Sequence, residues 1–95
     1  LLGGLRFMTT RIPESIRREA MSREFQVSIR IGKSGVTETL ISEIDTQLKK
    51  RGIVKIKMNR GLFERDAISG VWAQLAEQTG SVLVLARGNV GVLWR

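Results

Sequence analysis

The sequence predicts one α/β domain, in which a mixed four-stranded sheet carries helices in the order helix, strand, helix, strand, helix, strand, strand. Apolar residues switch repeatedly between a spacing of two and a spacing near 3.6, the signatures of strand and helix. Strand and helix patterns alternate, which sets strands parallel through helical crossovers expected to be right-handed. A chain of 95 residues with 42% hydrophobic content has apolar material for one core and too little length for two.

Leu1 to Phe7 precede a methionine at Met8 and lack the length and cleavage pattern of a signal peptide. Residues 1–10 are expected to be a disordered or expression-derived terminus, with the natural start near Met8 and the domain over 11–95. Pro13 suits the first turn of a helix reaching Ser22 or Arg23, on which Ile12, Ile16 and Ala20 fall four apart. Gln26 to Ile31 alternates, with Val27, Ile29 and Ile31 on one face and Gln26, Ser28 and Arg30 on the other.

A longer helix follows from Val36 to Lys50, with Val36, Leu40, Ile41, Ile44 and Leu48 as its apolar stripe and Glu38, Ser42, Asp45 and Lys49 on the wet side. Thr37 is its N-cap, and Gly52 stands where a left-handed residue closes a helix. Ile53 to Met58 alternates again, turning Val54, Ile56 and Met58 inward and Lys55 and Lys57 outward. After a loop over Asn59 to Phe63, a third helix runs from Glu64 to Thr79 and stops at Gly80; Gly70 inside it suggests a close packing contact. Val82 to Ala86 and Val90 to Trp94 form a hairpin around Gly88-Asn89, a pair suited to a type II′ turn. The first of these strands is apolar on both faces, which predicts a central position, with the first helix covering the second face.

The formal net charge is +7 and the pI about 11.1, which favours polyanionic partners. Without histidine or cysteine, the chain lacks the commonest general base, the commonest metal ligand and any thiolate. No enzymatic activity, metal or cofactor is expected. No apolar run approaches the roughly 20 residues that cross a bilayer, so a cytoplasmic protein is expected, without a membrane partner.

The most informative motif is Gly32-Lys33-Ser34-Gly35, between the first strand and the second helix. A glycine-flanked turn with lysine at its tip lets backbone approach a phosphate, and the next helix brings free N–H groups and a positive dipole end. The Gly-Lys-Ser within it is not a Walker A loop, because Val27 stands where that motif needs its first glycine. Taken alone, the tetrad is equally well read as an ordinary strand-to-helix turn. Arg30, Lys33, Lys55, Lys57 and Arg60, unbalanced by neighbouring acids, extend it into a basic strip. Trp72 lies on an apolar stripe and reads as core; Trp94, near the chain end, is the aromatic available to stack on a base. The pairs Glu64/Asp66 and Glu38/Asp45 read as helix capping and solvated surface rather than catalytic carboxylates.

The runs Ile31 to Glu38 and Leu48 to Lys57, with Thr79-Gly80 before the third strand and Val92-Leu93-Trp94-Arg95, resemble the CRM domain. This is the chloroplast RNA splicing and ribosome maturation family, which includes small YhbY-like proteins. The resemblance implies a fold similar to the C-terminal domain of bacterial translation initiation factor three, and RNA binding in ribosome assembly or intron splicing. It also implies that Gly32, Lys33, Ser34 and Gly35 form an RNA-binding loop similar to the backbone clamp of KH domains. Two departures stand out: Trp94 replaces the usual tyrosine, and Arg87 to Gly91 replaces the usual Gly-Lys-containing hairpin.

The expected function is therefore backbone-directed binding of RNA, either ribosomal precursor or another structured RNA, with the large ribosomal subunit as a further partner. The alternative is an Alba-like archaeal chromatin protein on duplex DNA, which shares basicity and an Ile-Gly-Lys opening. A protein-interaction module that does not touch nucleic acid is a third class, in which Lys33 has no role.

Overall fold

The computed structural model describes residues 12–95, and the expectations for residues 1–10 lie outside them. Helix α1 (Glu14–Met21) is followed by β1 (Ile29–Ile31), α2 (Glu38–Arg51), β2 (Ile53–Met58), α3 (Arg65–Thr79), β3 (Val82–Arg87) and β4 (Val90–Trp94). This is the expected order, around a mixed four-stranded sheet arranged β1-β2-β4-β3. Strands β1 and β2 pair in parallel, whereas β4 runs antiparallel to both of its neighbours.

Helix α2 forms where capping and periodicity agree. The Thr37 hydroxyl accepts the Leu40 N–H at 3.1 Å, and Gly52 closes the helix at φ 77°. Leu40, Ile44 and Leu48 are buried along one side, each contributing roughly 1.5–3 kcal/mol by removal from water. They join Ile29, Ile31, Val54, Ile56, Met58, Trp72, Leu75 and Leu93 in the main core. Helices α2 and α3 thus cover one face of the sheet.

The opposite face carries a smaller core of Ala20, Ile53 and Val92, packed by Ile16, Phe25, Val84, Leu85 and Trp94. Helix α1 lies here against β3. A register shift between Leu83 and Leu85 breaks the alternation of β3, so Leu83 joins the main core while Val84 and Leu85 both join the smaller one.

The structure corrects the sequence reading in several places. Strand β3 is an edge strand, not a central one. Its two apolar faces are accounted for by α3 on one side and α1 on the other, and coverage by helices leaves the same pattern as coverage within a larger sheet. Gly70 is exposed, and a Cβ there would meet nothing within 4 Å. The close approach lies instead at Gly91, where a Cβ would fall 2.8 Å from the Trp72 ring. The first strand is shorter than expected, because ladder pairing starts at Ile29 with only the Ser28 N–H reaching the Lys55 carbonyl before it. Asp45 is not a bystander on the wet side of α2: its carboxylate accepts a hydrogen bond from Arg95 Nη1 at 2.6 Å. The same nitrogen donates to the Thr79 carbonyl at the end of α3, so Arg95 ties the two helices together.

Candidate nucleic-acid interface

The parallel pairing of β1 with β2 brings three connections to one end of the sheet. The Ile31 carbonyl accepts the Asn59 N–H at 3.0 Å, and the Asn89 carbonyl accepts the Met58 N–H at 2.8 Å. The Gly32–Gly35 turn, the loop after β2 and the β3–β4 hairpin tip therefore sit side by side. Gly88, at φ 57°, supplies the positive dihedral that the first position of a II′ turn demands.

Gly32 to Gly35 form a closed turn, in which the Gly35 N–H donates to the Gly32 carbonyl at 2.9 Å. Lys33 and Ser34 occupy its exposed centre. Gly35 has φ 69°, which a residue with a side chain adopts only under strain. The helix end behind the turn offers less than the sequence suggests. Val36 and Thr37 separate it from the turn, Thr37 takes the Leu40 N–H, and Glu38 already places a carboxylate in the first turn of α2. The lysine tip and turn backbone, more than the helix dipole, define what this corner can hold.

The basic residues around the turn divide into two sets. Lys33 and Arg60 project from the loops at the sheet end, and Arg65 opens α3 by the hairpin turn, lining one cleft with Gly88 and Asn89. Arg30 and Lys57 are exposed cross-strand partners on the α1 side of the sheet. In register with them, Lys57 pairs with Val90 and Val90 with Arg87. Arg30, Lys57 and Arg87 thus form one row across four strands, separated by about 5 and 10 Å at strand spacing. Helix α1 covers this face at β3, and leaves the Arg30 and Lys57 end of the row open.

Among the described residues, the ion pairs are Arg18–Glu14, Lys49–Asp45 and Arg95–Asp45. None involves Arg30, Lys33, Lys57, Arg60, Arg65 or Arg87, so the positive charge at this end is uncompensated by contact. Lys55 departs from the expected strip. It lies further along β2, half-buried, and its Nζ donates to the Phe25 carbonyl at 3.0 Å while sitting 5.8 Å from the Phe25 ring centre. Its ammonium is committed to holding the segment between α1 and β1.

Arg65 and Arg87 complete the basic end and were missed by sequence reading. Arg87 ends β3 and pairs with Val90, which pairs in turn with Lys57, so only the β2–β4 register brings it into this row. Lys49, Lys50 and Arg51 lie at the other end of α2, about 20 Å away at helical rise. Trp94 is half-buried in the smaller core and is not presented for stacking. Among the described residues no group of three or more His, Cys, Asp or Glu could hold a metal, and no helix is long and apolar enough to cross a membrane.

The fold and its basic end define a class: a compact αβαβαββ domain presenting a glycine-flanked lysine turn beside an open, cationic strip of sheet. The CRS1 / YhbY (CRM) domain family matches residues 8–95, and the chain belongs to that family. It is 28% identical over 90 residues to "Probable RNA-binding protein MJ0652" of Methanocaldococcus jannaschii, covering 95% of this chain and 65% of that protein. The chain therefore spans a little under two thirds of that relative's length. Its structure resembles the solution structure of the hypothetical protein SAV1595 from Staphylococcus aureus, described as "a putative RNA binding protein". The TM-score is 0.69 at 26% identity, over 90% of this chain and 88% of the other.

Proposed function

We propose that this protein is a non-enzymatic RNA-binding domain that grips the sugar-phosphate backbone at the Gly32–Gly35 end of its sheet. The observation that carries the reading is the gathering of six cations without an acidic contact, Arg30, Lys33, Lys57, Arg60, Arg65 and Arg87, around an exposed glycine turn. Membership of the CRM family and the printed names of its relatives favour RNA as the polymer. Structured RNA, including ribosomal precursor RNA during large-subunit assembly, is the substrate class that the family resemblance supports.

Lys33 acts as a point charge at the tip, the two glycines keep the turn backbone accessible, and Arg30 and Lys57 hold the following phosphates. Such contacts position a strand without reading bases, so affinity falls steeply with salt. Competition between structured RNA, single-stranded RNA and duplex DNA at fixed salt tests the reading. Preference for an RNA is expected. A clear preference for duplex DNA would establish the chromatin-like alternative, and absence of binding at low salt would place the protein among protein-contact modules.

A further inference from the structure

We propose that the cleft between α3 and the β3–β4 hairpin holds one unstacked base of the RNA whose backbone the glycine turn grips, an inference that rests on the RNA-binding reading. The cleft has a volume of about 350 Å³. Ile68, Trp72 and Ala86 give it apolar walls, while Arg65, Ser69 and Asn89 set polar groups around them. That combination suits a nucleobase: a flat apolar body whose edge carries hydrogen-bond donors and acceptors.

Trp72 contributes to the lining while only 1% exposed, so the wall is fixed by the core. Its Nε1–H is buried without an acceptor among the described residues. Gly91 explains why the ring can lie so close to the sheet: a Cβ there would enter the indole, at 2.8 Å. The cleft is thus a built feature of the α3–β4 contact.

Charge directs the polymer towards it. With one flank of the strand over Arg30 and Lys57 on the α1 face, the other flank can leave the glycine turn along the β1 edge or across the sheet end to the hairpin. The first route is a groove of about 600 Å³ lined by Glu38, Glu43, Ser42 and Thr46, whose carboxylates oppose phosphate. The second route passes Arg60 and ends at Arg65. Asn59 and Asn89 bridge it through the backbone bonds to Ile31 and Met58. The distance is about 14 Å, three inter-strand spacings, so the base in the cleft belongs to the strand held at Lys33 and not to a second molecule.

The test uses the whole chain and a single-stranded oligoadenylate, alongside oligomers in which each base in turn is replaced by an abasic ribose. In Trp94→Phe protein, Trp72 emission reports the cleft. One abasic position should weaken binding roughly tenfold, the scale of one base contact, and abolish the change in Trp72 emission. Ser69→Leu, at an exposed helix position, should fill the cleft and weaken the intact oligomer by a similar factor while leaving the salt slope unchanged; Arg65→Gln should weaken binding and flatten the slope. Equal affinity for every abasic oligomer, with Ser69→Leu binding like the parent, would overturn the cleft assignment while a Lys33-dependent salt slope kept the backbone grip intact. Failure of all oligomers to bind at low salt would overturn the cleft assignment, and failure of structured RNA as well would remove the backbone grip.

Discussion

Gly91→Ala tests the contact on which both the main core and the cleft depend. Gly91 sits in β4 opposite Ile56, and a Cβ built there would lie 2.8, 2.8 and 2.9 Å from three atoms of the Trp72 ring. Distances that short force a shift, and neither neighbour yields easily. Trp72 is 1% exposed and wedged in the core, while Gly91 lies between β2 and β3 in a strand hydrogen-bonded on both edges. Overpacking of this kind costs about 1–3 kcal/mol. For a domain of this size each kcal/mol is worth about 4–8 °C in Tm, so a loss of roughly 5–20 °C is expected. Urea denaturation followed by circular dichroism measures the free energy directly. Gly91 has no positive φ, so the loss is steric, and Trp72→Leu should couple to it: the double variant should be more stable than the sum of the single losses predicts. A Gly91→Ala protein within about 0.5 kcal/mol of the parent, the range of a neutral surface substitution, would refute the reasoning.

Gly70→Ala is the converse case, since its Cβ would meet open space in a helix; it should raise stability by about 0.5–1 kcal/mol in the same denaturation. Lys33→Ala should weaken RNA binding and lower the slope of log affinity against log salt by about 1, measured by anisotropy across a salt series; an unchanged slope would remove Lys33 from the interface. Replacing Arg30, Lys57 and Arg87 together by glutamine should reduce that slope by about 3, whereas replacing Lys49, Lys50 and Arg51 should change it far less, because they occupy the opposite end of α2. The hydrogen bond from Arg95, aided by Lys49, holds the Asp45 carboxyl below its ordinary value of 3.8. A depressed carboxylate stabilises the fold above the unfolded-state value and loses that contribution as pH falls through 3.8 towards the folded-state value. Asp45→Asn should therefore lower Tm at neutral pH, with the gap to the parent closing below about pH 4.

Much of the architecture was legible because local signals agreed with tertiary demands. Thr37 and Gly52 mark both ends of α2, and the alternation over Ile53 to Met58 correctly separates Val54, Ile56 and Met58 from Lys57. What escaped was information carried by neighbours distant in sequence. An apolar β3 looks the same whether strands or helices flank it, and only the insertion of β4 between β2 and β3 shows it to be an edge. Gly70 and Gly91 are indistinguishable as letters; the difference is the Trp72 ring packed on one of them. At the candidate site, Gly32 to Gly35, Arg30, Lys57 and Arg60 lie together as expected. Lys55 lies on the face that alternation assigns to it, and alternation does not name a side chain's partner, here the Phe25 carbonyl. Arg65 and Arg87 become visible only when hairpin, loop and turn meet at one end.

The strand order has a consequence for biogenesis. The two innermost strands, β2 and β4, are separated in the chain by an entire helix and the outer arm of a hairpin. On a chain emerging from its own synthesis, the β2 border must wait, uncovered, for β4 before it finds its proper companion. Until then it offers a ready template to any passing extended segment. The alternating lysines of β2, Lys55 and Lys57, are well placed as guards during that interval, so the charges that serve anchoring and ligand capture in the finished fold would also discourage self-association of the unfinished molecule.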